Sequence, residues 1–444
     1  MIYADVVIKF KSLPKVNISL IRRYSTPRLK RQATELALNH FDQFYSPVFK
    51  NWASIRLGLL SPHSYCAVTN VFTVSKNVYD LFGDCDVYNL KDVYYLNLNE
   101  FHSSFSSEKN VKESCQNSSA SDSEHEPVSE DSNSELCTGV EHYNEDEYMP
   151  ATKFKYGDVD LEEECFEFFK PTLNYNAQLV PHGIIQYPEN WNIYFCPRGK
   201  FRKFPPPKED STGLLNYYLM DGASILPVLA LDIQKGEEVG DLCASPGGKT
   251  LAILFGMQFG KLVCNDSSVS RLNKLKTVLN SYLPASQDWS KRILVSNLDV
   301  CEWTSFELFD KILLDVPCTN DRLSATKDSN NIFQQKRFNE RLLIPRVQTS
   351  MLCAALKALK PNGSLVYSTC SLSPLQNDGV VHMSLSKLLS ECPFEFIVND
   401  LSDAFNPVRK MFQFSDTCKY GQLVVPYLPL NYGPMYISKI SRVK

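Results

Sequence analysis

The sequence predicts an α/β protein: a Rossmann-like, mostly parallel sheet with helices on both faces, joined to a smaller N-terminal region. Three observations carry that prediction. Through the C-terminal half, short apolar runs alternate with helix-length segments, as in strands linked by crossover helices. Between the first run and the first such helix stands a glycine turn, "DLCASPGGKT", residues 241–250. Acids end successive runs at Asp241, Asp266, Asp299 and Asp315. Ligands of open α/β sheets sit outside the carboxyl ends of the strands, so the turn and the acids share one edge.

The sheet elements follow in order. Strands are expected at 238–243, 262–266, 293–298, 311–316 and 364–368, with helices at 249–258, 269–282 and 345–359. An apolar stretch at 220–231 predicts a further helix before the first strand. Gly363, after "KPN", marks a helix end before the last strand. Upstream, residues 35–102 form an expected N-terminal subdomain. There "ELALNHFDQFYSPVFKNWASIRLGLL" has roughly helical spacing and "DVYYLNL" reads as a short strand. Residues 103–149 carry twelve acids, two lysines and a dozen serines with few aliphatic side chains. Such a segment buries too little apolar surface to offset its ordering entropy, so a disordered acidic insertion is expected. Residues 150–208 form a connector and 209–444 the catalytic domain.

Composition narrows the function. No apolar run approaches the ~18 residues of a membrane span, so no membrane association is expected. None of the fourteen cysteines forms a C-x-x-C pair, which argues against a structural zinc site, and no metal is expected. Several, such as Cys264 and Cys353, lie in apolar runs, the habit of buried thiols in a reducing compartment. Net charge is −4, but the insertion alone holds −10, leaving the remainder at +6. The first 31 residues hold eight Lys or Arg against one acid, Asp5. That basic, acid-poor composition predicts a mitochondrial targeting segment over 1–34, the alternative being a basic tail that touches nucleic acid. Without its first 24 residues and the insertion the chain is weakly basic, at about +2, too little for strong general attraction to a phosphate backbone. A local patch is "RGKFRKFPPPK", where Arg198, Lys200, Arg202, Lys203 and Lys208 flank Phe201 and Phe204. Cations beside aromatic rings suit RNA contact. A second candidate RNA surface is "RLSATKDSNNIFQQKRFNERLLIPR", with Lys336, Arg337, Arg341 and Arg346.

The glycine turn ends in Gly-Lys-Thr, as a phosphate-binding loop does. That loop also needs a glycine five residues before Gly248, where this chain has Cys243. A nucleoside turn fits better. Asp266 is placed for ribose hydroxyls and Asp299 for an adenine amine, and the glycines let the backbone approach a ligand. The set suits adenosine carrying a cationic sulfonium. The next two strands run into "LLDVPCTNDR" and "VYSTCSLSPLQND", bringing Cys318 and Cys370 to the same edge.

With these residues in view, "DLCASPGGKT", "DVPCTNDR" and "YSTCSLS" resemble motifs I, IV and VI of the NSUN (Sun-domain) RNA cytosine methyltransferases. The likeness runs from about Phe195 to the end, through "YYLMDGASILPVLAL" and "NYGPMYISKI", and reaches "ALNHFDQFYS" and "WASIRLGLL" upstream. It implies a class I methyltransferase fold and S-adenosyl-L-methionine as cofactor. Gly247, Gly248, Lys249, Asp266, Arg271, Asp299, Val300 and Asp315 are then cofactor-contacting positions. It implies Cys370 as the nucleophile that adds to cytosine carbon 6, Cys318 as the group aiding release, and Asp315 as the hydrogen-bond partner of ring nitrogen 3. The thiol is expected to be made more acidic by local positive charge. The branch most resembled is mitochondrial and acts on small-subunit ribosomal RNA. This implies the matrix, a role in mitoribosome assembly, and a helical partner of the mitochondrial termination-factor family. Ser245, often alanine in the family, and Gly240, usually bulkier, are mild departures. Two other readings stand beside this one: a non-catalytic docking factor in ribosome assembly, and a cytosine-5 methyltransferase acting on tRNA. Amine or oxygen methylation would need no thiol pair.

Overall fold

A computed structural model describes residues 32–74, 77–83, 85–111, 177–199 and 203–443, with backbone alone for 78–79 and 101–111. The targeting segment, apart from its last three residues, lies outside the described residues. So do Lys200, Phe201, Arg202 and most of the acidic insertion.

The large sheet is built on β6 (Glu238–Asp241), β7 (Lys261–Asn265), β8 (Ile293–Ser296), β9 (Phe309–Asp315) and β10 (Leu359–Thr369). These five are parallel in the order β10-β9-β6-β7-β8, so the order reverses at β6/β9, where such sheets bind ligands. An antiparallel strand, β14 (Met435–Arg442), closes beside β10. It is flanked by β11 (Phe396–Asp400), which carries β3 (Leu179–Pro181), and by β13 (Gln422–Val424), which carries β12 (Phe414–Ser415).

Side chains that alternate along these strands feed two cores, as a period of two requires. Leu313, Val366 and Ile437 pack toward α5 (Ile225–Leu231), α6 (Gly248–Gly256) and α7 (Val269–Tyr282). Their neighbours Ile312, Leu314, Leu365, Tyr367 and Tyr436 pack toward the opposite face. That face is covered by α9 (Phe338–Lys357) and α10 (Asp378–Glu391), with α1 (Ala33–Phe44) and α2 (Trp52–Leu60). Helices therefore lie on both faces, as the sequence predicts.

A second, antiparallel sheet joins β2 (Tyr88–Asn89), β4 (Ile193–Phe195), β1 (Tyr65–Thr69) and β5 (Tyr217–Asp221), in that order. Its strands come from all three expected segments on either side of the insertion, so the boundaries at 102 and 208 mark changes in composition within one packed unit. Three further helices complete the chain: α3 (Val78–Phe82), α4 (Leu90–Val111) and α8 (Asp321–Thr326).

Four local expectations are corrected. "DVYYLNL" is helical, inside α4, where Leu90 and Tyr94 are buried and Val93 and Leu98 pack on the core. The same helix continues to Val111, into the segment expected to be disordered. Met220 and Asp221 end strand β5, and the helix starts only at Ile225. The helix before β10 ends at Lys357, so Gly363 lies within the strand, at a register shift between Leu359 and Ser364. There Asn362 takes the positive φ, and a Cβ on Gly363 would come within 2.9 Å of the Lys360 carbonyl.

Candidate active site

Asp241, Asn265, Asp315 and Thr369 end β6, β7, β9 and β10 at one edge of the sheet. Asp241 is buried and accepts a 2.6 Å hydrogen bond from Thr250 Oγ1 in the first turn of α6. Burial pushes its carboxyl up to about 7, against the pull of that hydroxyl. The loop between them includes the cis Ser245–Pro246 bond and Gly247 at φ 121°, a backbone region that L side chains rarely adopt. Gly248 passes so close to Tyr218 that a Cβ would stand 2.9 Å from its ring. The Ser245 hydroxyl is buried without a hydrogen-bond partner among the described residues.

Asp266 follows β7. It pairs with Arg271 Nε at 3.1 Å and accepts from the Ser268 backbone at 3.0 Å, while Arg271 also donates to the Ser245 carbonyl. The loop is braced by Asn265, a residue that sequence reading missed. Its amide donates to the carbonyls of Leu242 and Leu298 at 3.1 and 2.9 Å and accepts from Ser296 Oγ at 2.8 Å. Asp299 is exposed and caps the Cys301 backbone at 2.9 Å, and Val300 beside it is buried.

Lys249 points to the thiol side. Its ammonium lies 2.7 Å from Asp315 Oδ2, and Ser368 Oγ donates to Oδ1 at 2.6 Å. Both carboxylate oxygens are therefore engaged, an ion pair that the sequence reading did not foresee. Three residues beyond Asp315 comes Cys318, and Cys370 directly follows β10. Their sulfurs are 2.9 Å apart, and the Cys370 backbone N–H donates to Cys318 Sγ at 3.3 Å. The Cys370 thiol is pushed well above its ordinary value, first by the hydrogen bond to Cys318, then by burial and by the charges of Cys318 and Asp315; Lys249 pulls the other way. At rest, then, the expected acidification is reversed.

The loop carrying Cys318 is pinned from outside the thiol pair. Gln348 Nε2 donates to the Pro317 carbonyl at 2.8 Å, and Gln376 Oε1 accepts from the Thr319 backbone at 3.1 Å. The stretches "YYLMDGASILPVLAL" and "NYGPMYISKI" also meet: Asp221 accepts from the Gly433 backbone at 3.0 Å.

The candidate RNA-facing residues differ in exposure. Arg198 and Lys203 are exposed, and Arg198 donates to Tyr427 Oη at 3.1 Å. Phe204 is buried against Phe82, with ring centroids 5.3 Å apart, and is no stacking platform. Of the second set, Lys336 and Arg346 are exposed, but Arg337 is buried in a two-pronged pair with Glu340, both bonds 2.7 Å. Arg341 lies over the rings of Phe333 and Phe338. Every described cysteine is a free thiol. Among the described residues no group of three or more His, Cys, Asp or Glu could hold a metal, and no helix is long and apolar enough to cross a membrane.

A family model described as 16S rRNA methyltransferase RsmB/F matches residues 228–407, from α5 past β11. The 5-cytosine rRNA methyltransferase NSUN4 of Xenopus tropicalis is 35% identical over 426 residues, which are 95% of this chain and 94% of that one. The chain belongs to the NSUN4 family. The Caenorhabditis elegans member is 33% identical over 463 residues, 98% of this chain and 97% of its own. A more distant likeness is to the mouse mitochondrial tRNA (cytosine(34)-C(5))-methyltransferase, 36% identical over 266 residues, 59% of this chain and 72% of that one. The NSUN4 match takes in nearly the whole chain, whereas the RsmB/F match leaves out α1 and α2 and ends before β12, β13 and β14.

Proposed function

We propose that this chain methylates carbon 5 of a cytosine in ribosomal RNA, using S-adenosyl-L-methionine and a covalent adduct on Cys370. One observation carries the reading: two thiols 2.9 Å apart at the ends of adjacent parallel strands, on the edge that holds the glycine turn. Neither amine nor oxygen methylation requires that pair.

The glycine turn fits the cofactor. A backbone free of Cβ at Gly247 and Gly248, an unpartnered Ser245 hydroxyl, and the Asp266–Arg271 pair make a cradle for an adenosine. When bound, the cofactor supplies an electrophilic methyl group on a sulfonium. The protein supplies the rest. The Cys370 thiolate forms a bond to carbon 6, and its electron pair passes through the ring to make carbon 5 nucleophilic. The proton that the Cys370 thiol gives up passes to Asp315, held by Lys249 and Ser368, which then donates it to ring nitrogen 3, where the negative charge of the adduct would otherwise build. After methylation, a base on the Cys318 side, its thiolate or a water, takes the proton of carbon 5. The electrons of that C–H bond restore the 5,6 double bond, the bond from Cys370 to carbon 6 breaks with its electron pair returning to sulfur, and ring nitrogen 3 returns its proton to Asp315. Cys318 stands beside that leaving sulfur. The base must leave its stack to present both faces to the thiolate and the methyl donor.

Ribosomal RNA is preferred over tRNA because the rRNA relatives are matched along nearly their whole length. Mitochondrial action is supported by the basic N-terminus and by the mitochondrial relative, and the matrix and the small subunit follow from the family resemblance alone. The modest charge of the folded part favours a partner that supplies RNA affinity, and the resemblance points to a termination-factor-family helical protein that would couple methylation to ribosome assembly. Bisulfite sequencing of mitochondrial ribosomal RNA from cells with and without the protein tests the reading. One cytosine should lose protection without it; unchanged rRNA with a lost tRNA mark would favour the tRNA substrate.

A further inference from the structure

Between the N-terminal helices and the two cysteine loops lies a buried carboxylate that the reaction does not use. Asp321 is fully buried, and its carboxylate accepts from Thr319 Oγ1 at 2.5 Å, the Leu372 backbone at 2.7 Å and Ser371 Oγ at 3.2 Å. Its own N–H donates to the Cys370 carbonyl at 3.3 Å. Asp321 thus holds the residue after Cys318, the two residues after Cys370, and Cys370 itself. One further bond comes from far away in sequence: Tyr45 Oη, just beyond α1, donates to Asp321 Oδ2 at 2.9 Å. Tyr45 is itself buried, ringed by Phe41, Phe49 and Trp52. Burial raises the carboxyl of Asp321, and the surrounding hydroxyl and N–H donors hold it down.

We propose that Asp321, latched by Tyr45, is a positioning residue that sets the distance between the Cys318 and Cys370 sulfurs, so that the N-terminal helices govern the reactivity of the thiol pair. The proposal rests on the reading of Cys370 and Cys318 as the reacting groups. A carboxylate that accepts from both loops at once fixes their spacing in a way that a bond to either loop alone would not. Removing the Tyr45 hydroxyl leaves Asp321 one donor short in a buried site, and the loops relax to compensate. The contact with Cys318, which holds the Cys370 thiol above its ordinary value, then loosens, and the thiol becomes easier to ionise.

Tyr45→Phe tests this in the full chain, with the alkylation rate of the Cys370 peptide by iodoacetamide followed against pH by mass spectrometry. Alkylation at pH 7.5 should rise about three- to tenfold while kcat for RNA methylation falls by a similar factor and KM for RNA stays put. Asp321→Asn should do the same more strongly. Asp42→Ala is the control in the same helical layer: it removes the acceptor of the Trp52 and Arg56 hydrogen bonds but touches neither loop. It should lower Tm without moving the alkylation profile. The proposal is overturned if Tyr45→Phe keeps wild-type alkylation and kcat, or if Asp42→Ala reproduces both changes. A wild-type protein that methylates no ribosomal RNA would instead sink the functional reading, and the alkylation comparison would still judge the latch.

Discussion

The surroundings of Cys370 hold its thiol well above the ordinary value: the hydrogen bond with a sulfur 2.9 Å away comes first, then burial, and the charge of Asp315 adds to them while Lys249 pulls the other way. Ionisation therefore waits for Cys318 to give way, as it would when a base enters between them. Cys318→Ala should increase alkylation of Cys370 at neutral pH by about tenfold, because the largest cause of the raised value is gone. An unchanged rate would mean that burial alone holds the proton. Asp241 gives a separate prediction. Its folded carboxyl lies near 7, above its ordinary value of 3.8, so the folded state binds the extra proton between those limits. The stability penalty is complete above pH 7 and is relieved as pH falls toward 4, by up to about 4 kcal/mol. Melting curves from pH 5 to 8 should show a slope for the wild type that Asp241→Asn flattens; parallel slopes would place the titration elsewhere. Cys318, Cys370 and the acids at strand ends are legible in sequence because each sits at a fixed offset from an apolar run. The Lys249–Asp315 pair and the Tyr45–Asp321 bond are not, since their partners are 66 and 276 residues apart and no local pattern links them.

Among the elements, the glycine turn and the parallel strands were readable because buried strands are short continuous apolar runs. α4 was misread because "DVYYLNL" is rich in residues that favour strands. The helical signal was present in its wider frame, at Leu90, Val93, Tyr94 and Leu98, but not within seven residues. The glycine turn makes its own prediction. Gly248→Ala must move Tyr218 away from a 2.9 Å overlap at the mouth of the cofactor cradle. Calorimetric titration with S-adenosyl-L-methionine should show affinity about tenfold weaker or worse, since a displaced backbone costs more than ~1 kcal/mol. Wild-type affinity would show that the turn does not touch the cofactor.

For the whole molecule, the N-terminal helices belong to the catalytic unit. Arg322 is buried, and its guanidinium donates to the carbonyls of Gly58, Ser61 and Gly433 and to Asn431 Oδ1, at 2.7 to 3.1 Å. It ties the end of α2 and Ser61 after it to the loop before β14, with Ser61 and Asn431 370 residues apart. Arg322→Met strands those acceptors in the interior and should cost about 3–5 kcal/mol, read as a lower unfolding midpoint in urea. Because β1 pairs with both β4 and β5, cleavage in the acidic insertion by a glutamate-specific protease should leave the fragments co-eluting. The chain-wide arrangement was the least legible part, as pairing between distant segments leaves no trace in periodicity.

The central claim is that the two thiols divide the reaction, Cys370 attacking and Cys318 enabling release. It is tested most directly by incubating wild type, Cys370→Ala and Cys318→Ala with the ribosomal RNA substrate and S-adenosyl-L-methionine, then resolving protein from RNA under denaturing conditions. The account predicts a persistent covalent protein–RNA band for Cys318→Ala and none for Cys370→Ala, which also makes no 5-methylcytosine. A covalent band that persists in Cys370→Ala, and not in Cys318→Ala, would contradict it.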